Sequence, residues 1–325
     1  MVKSAMRGIA AIALLMGMLS AARCDSPYPY PSRMITIVVP FPPGGTADLL
    51  PRLVAEKIRT TLGQTVIIEN KPGASGNIGL ESVVRSAPDG YTLLNAPQLS
   101  FSVNHLLNPT LHIDPRTLEP ISVLAVYPTV IYARANFPPN SVSELIAYAK
   151  ANPGKLNYAS QGRGQIGHLT MEVIRSQDDL DIQHVPYRGT TPAMNDLLAG
   201  HVDILADNLL AGMQHVQSGA LKLIAVGGKE RLKAFPNVPT IAETIPGFYS
   251  ETWMAIAAPA GTPKEITHKI SDAIAKALQQ PDLRERIYAL QAEPVGGTPE
   301  QMAAMIKESH DRWAPIITKA NITSD

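Results

Sequence analysis

The sequence predicts an α/β protein of two units, with a ligand cleft and hinge strands between them. Three observations carry this expectation. Short β-branched runs that end at Pro, Gly or Asn alternate with amphipathic helical stretches, the rhythm of an α/β sheet rather than a sandwich. Two of the strand-to-helix turns are rich in Gly. No polar linker separates the two series of elements, so strands should cross between units, act as hinges and leave a cleft as the default ligand site.

In order, residues 34–40 (MITIVVP) read as a buried strand, followed by a Gly/Pro loop and a helix over 48–62. Strand 65–69, helix 75–86 and strand 92–96 come next. Strands 121–126 and 129–133 are expected to be split by Pro128. Ser141 and Glu144 form a capping box for a helix that stops before Pro153-Gly154. Strand 156–159, helix 165–176, strand 182–185, helix 192–199, strand 202–206, helix 209–218 and strand 222–226 follow. The remainder holds a strand at 253–257 and three helices. Two of these helices are expected to open on Thr262-Pro263 and Thr298-Pro299, with Pro at the first helical position and Glu265 or Gln301 closing a capping box.

Composition excludes several classes. With 28 Lys+Arg against 28 Asp+Glu there is no basic face for nucleic acid. One Cys rules out a disulfide framework and any Cys-based zinc cluster. Lys3 and Arg7 precede an apolar run, residues 8–22, that ends in small residues including Ser20 and Ala22. That is the order of a secretory signal peptide, expected over 1–22, and the run is short for a membrane anchor. Cys24 raises lipidation as an alternative, against which Arg23 stands where a small residue is needed. The mature chain has no other run long and apolar enough to cross a bilayer, so it is expected to be exported and free of a membrane span.

Two loops attract attention as sites. Pro40-Phe41-Pro42-Pro43-Gly44-Gly45-Thr46-Ala47-Asp48 lies between strand and helix, where ligands bind open α/β sheets. Its glycines let backbone N–H groups approach a ligand. Asp48 is expected as the helix N-cap, with Pro51 at the third helical position where a missing N–H is harmless. Ser160-Gln161-Gly162-Arg163-Gly164-Gln165-Ile166-Gly167-His168 again joins strand to helix. It spells G-x-G-x-x-G, yet Pro186-Tyr187-Arg188 stands where a dinucleotide site wants its acidic residue. What survives is a helix N-terminus suited to a carboxylate or phosphate. His168 reads as a packed or capping residue rather than a metal ligand. Asp207-Asn208, at a strand end, reads equally as an N-cap and as a cleft residue. Tyr187 and Trp253 are aromatic-wall candidates with core packing as the simpler role. No nucleophile elbow, P-loop or S-x-x-K motif occurs, and no metal set has ligand spacing.

The loop 40–48, Glu69-Asn70-Lys71-Pro72-Gly73-Ala74-Ser75-Gly76-Asn77-Ile78-Gly79 and Ala87-Pro88-Asp89-Gly90-Tyr91-Thr92-Leu93-Leu94 occur in that order. Leu156-Asn157-Tyr158-Ala159-Ser160, His184-Val185-Pro186-Tyr187-Arg188-Gly189 and Ala258-Pro259-Ala260-Gly261-Thr262-Pro263 follow. Together they closely resemble the extracytoplasmic solute receptors of tripartite tricarboxylate transporters, often called Bug receptors, over about residues 34–321. The resemblance implies a type II periplasmic-binding-protein fold, with lobe 1 at 34–126 and 228–325 and lobe 2 at 127–227. It implies a periplasmic, non-catalytic, monomeric receptor that holds a small carboxylated solute without a cofactor or metal and delivers it to membrane permease subunits. The implied contacts are Pro43, Gly44, Gly45, Thr46, Ala47 and Asp48 in one loop, and Ser160, Gly162, Arg163, Gly164, Gln165 and His168 in the other. Asp207 and Asn208 would define the far end. The chain departs from the family pattern at Pro51 and at Arg163, which either reaches a second carboxylate or points into solvent. A sensor role and an exported enzyme using Asp48, His168 or Asp207 as acid or base are the competing functions.

Overall fold

Strand β1 (Ile35–Val39) places four of its five residues in the core, as its β-branched run requires. Around it the chain builds in the order α1 (Thr46–Leu62), β2 (Val66–Asn70), α2 (Asn77–Val84) and β3 (Thr92–Pro97). Then come α3 (Gln98–Ser102), α4 (Asn104–Leu107), β4 (Glu119–Arg134), α5 (Val142–Ala151), β5 (Leu156–Ser160) and α6 (Ile166–Arg175). The rest is β6 (Ile182–Pro186), α7 (Thr190–Ala199), β7 (Ile204–Asn208), α8 (Leu209–Gln217), β8 (Leu221–Val226), β9 (Glu251–Ala258), α9 (Lys264–Leu278), α10 (Pro281–Ala289), β10 (Glu293–Gly296) and α11 (Pro299–Lys319). The computed structural model describes residues 29–109, 111 and 113–324. The expected signal peptide at 1–22 and Cys24 lie outside the described residues. All the elements above belong to one unit, Arg33–Asp325.

Among the described residues ten strands form one sheet, with the path β2-β1-β3-β9-β4-β7-β5-β6, while β8 and β10 pair with β4. β1 runs parallel to β2 and β3, and β5 runs parallel to β6 and β7. β4 joins these halves. Its first part pairs with β9 as far as Pro128↔Glu251 and with β10; from Thr129 onward it pairs with β7 and β8. The expectation of two strands split by Pro128 is therefore corrected to one strand. Pro128 sits where the strand changes partners, so its missing N–H falls at a break in the ladder rather than inside it. Three chain passes meet there. Gly227 N–H donates to Thr129 O at 2.6 Å, Ser250 N–H to Gly227 O at 2.7 Å, and Thr129 N–H to Ser250 O at 3.4 Å.

The expected elements lie within about two residues of their observed bounds. Five elements were not anticipated: α3, α4, β10 and turns of 3₁₀ helix at Pro115–Thr117 and Ile241–Glu243. Leu99, Val103 and Leu107 recur every four residues and are all buried, which is the signal that could have revealed α3 and α4. Two capping boxes were expected at Thr-Pro and one forms. Thr298 and Gln301 exchange bonds around Pro299 at the start of α11. At α9 the N-cap is Pro263, and the Thr262 hydroxyl donates instead to Pro259 O at 2.8 Å, so that box is corrected.

One core gathers Val38, Leu94, Phe101, Val123, Trp253 and Met302. A second gathers Ile131, Tyr158, Leu169 and Ile174 with Leu99, Leu107, Trp313 and Ile317. α11 thus contributes its first turns to one core and its last turns to the other. No helix among the described residues is long and apolar enough to cross a membrane.

Candidate functional site

The loop after β1 turns at Gly44, whose φ of +92° lies in the left-handed region that suits glycine. Helix α1 then starts behind Gly45, an N-cap without a side-chain hydrogen bond. Asp48 is not the N-cap, as expected, but the third helical residue. Its buried carboxylate reaches back to accept the Gly44 N–H at 2.9 Å and also binds Asn70 Nδ2 at 2.9 Å and the Arg52 guanidinium at 2.9 Å. Asn70 Nδ2 donates further to Phe41 O at 3.0 Å. Burial pushes the Asp48 pKa up, but Arg52, the Gly44 N–H and Asn70 together outweigh it and hold it below the ordinary value. Asp48 therefore fixes the loop shape, while Pro43, Gly44 and Gly45 are exposed and Thr46 and Ala47 partly so.

Pro51 is likewise not in the first turn. It lies in the second, where its missing N–H leaves the Ala47 carbonyl without a helical partner. Asn95 on β3 supplies the substitute, its Nδ2 donating to Ala47 O at 3.1 Å. Sequence reasoning missed Asn95, because its partner is distant in the chain.

The second loop leaves β5 at Ser160, which is fully buried. The Ser160 hydroxyl lies 2.7 Å from His184 Nε2 and 3.1 Å from the Gly162 carbonyl, and accepts the Gly162 N–H at 3.3 Å. Gly164, at φ +72°, donates its N–H to His168 Nδ1 at 3.0 Å. Gln165 is the N-cap of α6, again without a side-chain bond. The His168 and His184 rings stack with centroids 3.9 Å apart, and Tyr158 lies 4.6 Å beyond His184. Burial lowers the pKa of His168 to about 4 and that of His184 to about 3, so both are neutral near pH 7. Glu172 closes the cluster, accepting from Tyr158 at 2.7 Å and Arg175 at 2.9 Å.

A third uncapped helix start adjoins these. Gly189, at φ +111°, precedes α7 without a side-chain cap and donates its N–H to Gln161 O at 3.0 Å. The strand–Gly–helix pattern at 182–190 could have identified it. Asp207 and Asn208 are the last two residues of β7, not residues beyond it. Asn208 caps α8, its Oδ1 accepting the Ala211 N–H at 3.1 Å. Asp207 is fully buried, bound by Thr190 Oγ1 at 2.7 Å and by the Asn208 N–H at 2.7 Å. Burial raises its pKa above the ordinary carboxylate value despite those bonds.

The two loops flank one small cavity of about 20 Å³, lined by Phe41, Ser75 and Pro97 on one side and Arg163, Gly164 and Gln165 on the other. Arg163 is exposed at this seam. A wider groove of about 460 Å³ runs past Pro128, Leu209, Lys229 and Tyr288, away from both loops. Ser160 and His184 have the spacing of a nucleophile and its base, but Ser160 is sealed from solvent. Asp48, His168 and Asp207 each bond to backbone or side chains that shape a turn. Trp253 belongs to the core, and the Tyr187 hydroxyl donates to Asp196. Among the described residues, no group of three or more His, Cys, Asp or Glu could hold a metal ion.

Residues 50–322 match the family model of the tripartite tricarboxylate transporter family receptor. Protein BugT of Bordetella pertussis is 35% identical over 316 residues, spanning 96% of this chain and 96% of its own length. The solved structure of R. palustris Rpa4515 with adipate is similar at a TM-score of 0.82 and 34% identity, covering 91% of this chain and 99% of that one. MatC (Rpa3494) from Rhodopseudomonas palustris with bound malate gives 0.78 at 32% identity, covering 89% and 100%. The α/β fold is thus that of a two-lobed periplasmic binding protein.

Proposed function

Because this chain belongs to the tripartite tricarboxylate transporter receptor family, we propose that it captures a small carboxylate-bearing solute between the loops 42–48 and 160–168. It then hands the solute to the membrane permease subunits of a transporter of that class. The observation that carries this reading is the pair of uncapped helix starts behind Gly45 and Gln165, of which Gln165 lines one cavity together with Phe41, the residue just before the loop 42–48. Helix N-termini favour an anion through free N–H groups and the positive end of the dipole. The neighbouring carboxylates are already engaged and do not oppose a ligand's charge from the surface. Adipate and malate in the two similar structures are carboxylates of the kind such a pair suits.

On this reading the lobes are 34–126 with 228–325, and 127–227, moving about the crossing at Thr129, Gly227 and Ser250. The receptor works as a monomer in the periplasm after loss of residues 1–22, and it leaves its solute chemically unchanged. Titration calorimetry of the mature chain with mono-, di- and tricarboxylates tests the proposal, with the solute recovered and identified afterwards. One saturable site per chain and an intact acid are expected, with a smaller radius of gyration in solution scattering. Turnover that is lost on substituting Asp48, His168 or Asp207 would replace the receptor with an enzyme.

A further inference from the structure

We propose that His168 and His184 are a positioning pair for the second loop, two stacked neutral imidazoles that hold the Gly162 and Gly164 peptides inward and so fix the turn leading into the α6 N-terminus, where a carboxylate would bind. This role rests on the receptor reading above. His168 Nδ1 accepts the Gly164 N–H, so that nitrogen carries no proton and the proton sits on Nε2, 3.7 Å from Glu172 Oε1. His184 Nε2 holds the Ser160 hydroxyl, which in turn accepts the Gly162 N–H. Each glycine of the turn is therefore tied to one ring, and the ring–ring contact at 3.9 Å couples the two ties. The side chains touch the loop from beneath, since His168 is buried and Ser160 lies between His184 and the surface turn.

The arrangement works only while both rings are neutral. A proton on His168 Nδ1 would face the Gly164 N–H donor-to-donor, and the turn would release. The surroundings favour neutrality. Burial disfavours a charge on either ring first, Arg163 from the loop and Arg175 from α6 add to it, and His168 adds to it for His184. Glu172 alone pulls the other way, and its charge is shared with the Tyr158 hydroxyl and Arg175. Of the remaining charged groups on elements packed against α6, Asp207 of β7 is bound by Thr190 and Asn208, and Lys319 of α11 lies across the cavity that Glu172 and Arg175 line. The others on α11 are paired away from the rings: Lys307 and His310 with Asp311, Arg312 with Glu308, and Glu300 with His268.

The test uses the mature full chain, with adipate and malate as probes. His168→Asn keeps an acceptor near the Nδ1 position but does not titrate; His168→Phe keeps the ring and removes the acceptor. His168→Phe should weaken binding by about tenfold or more, and His168→Asn by no more than about threefold near pH 7. As pH drops from about 7 toward about 4, wild-type affinity should fall further than that of His168→Asn, the protonation of the acids themselves being common to both proteins. In protein labelled with ¹⁵N-glycine, the Gly164 amide should titrate without ligand in the wild type and not in His168→Asn, with Gly44 unmoved. Equal affinities in wild type and His168→Phe, or a Gly164 amide indifferent to pH, would overturn the positioning role and leave the receptor standing. If His168→Phe does not fold, the pH profile of His168→Asn decides. If wild type binds neither acid while Gly164 titrates, the carboxylate reading fails and the positioning role fails with it.

Discussion

The side-chain amide of Asn95 donates to the Ala47 carbonyl at 3.1 Å, filling the place in helix α1 that Pro51 cannot fill. Asn95 is fully buried, so its loss strands a carbonyl beneath the loop 42–48. Asn95→Ala should cost about 1–3 kcal/mol. In a Pro51→Ala background the new peptide N–H can take over the Ala47 carbonyl, and the same substitution should cost visibly less. Urea denaturation of the four proteins measures the coupling. Strictly additive effects would mean that Asn95 does not substitute for the missing donor.

Gly164 faces a different constraint from the one its loop suggests. A Cβ there would lie 2.8 Å from Leu107 Cδ2, and the residue holds φ +72°. Gly164→Ala should destabilise the protein by about 1–3 kcal/mol through crowding alone. Leu107→Ala in the same chain should return part of that loss, the backbone strain remaining. Thermal unfolding of the single and double variants reads this directly, and no recovery in the double variant would place the damage elsewhere.

Gly227 has no such flexible neighbour. An added Cβ would sit 2.2 Å from Ser250 O and 3.0 Å from Thr129 O, both backbone. Gly227→Ala should therefore lose more than about 3 kcal/mol, or fail to fold, by prising apart the three crossing passes. Gly44→Ala meets nothing within 4 Å and carries only the strain of φ +92°, about 1–2 kcal/mol. A Gly227→Ala protein as stable as Gly44→Ala would show that the crossing is not tightly held.

Stability should decline on mild acidification. Burial keeps His168 near 4 and His184 near 3 in the folded chain, against an ordinary value of 6.5. As pH falls below that ordinary value the unfolded chain takes up protons first, so folding loses ground until the folded-state values are passed. Asp48 acts in the same direction at lower pH, because its folded pKa lies below the ordinary one. Asp207 acts oppositely: its raised pKa means that protonation relieves the native state. Denaturation midpoints measured across this range should fall in the wild type and fall less in a His168→Asn, His184→Gln double variant. A flat profile in the wild type would sink the claim.

Strand–helix alternation made the α/β class legible, because each element has its own period and its own breakers. The Gly-bearing turns at 44–45 and 162–164 were legible too, since an uncapped helix start after a strand leaves a local pattern. What stayed hidden depends on pairings distant in the chain. Pro128 reads as a break in isolation, yet it marks a change of partners that only β7, β8 and β9 define. Pro51 reads as a first-turn residue because nothing nearby announces Asn95. Thr262 and Thr298 carry the same Thr-Pro signature, and only the fold decides that one hydroxyl turns to Pro259. The partnership of His184 with Ser160 and His168 exists only once β5 and β6 lie side by side.

Helix α11 places Met302 in one core and Trp313 and Ile317 in the other. It follows every other helix and strand of both cores in the chain, so neither core is complete until it has been made. The first half of the chain cannot settle early into a finished domain while the second is still being made. Both of these cores must wait for the same twenty-one residues, and one helix closes the two together.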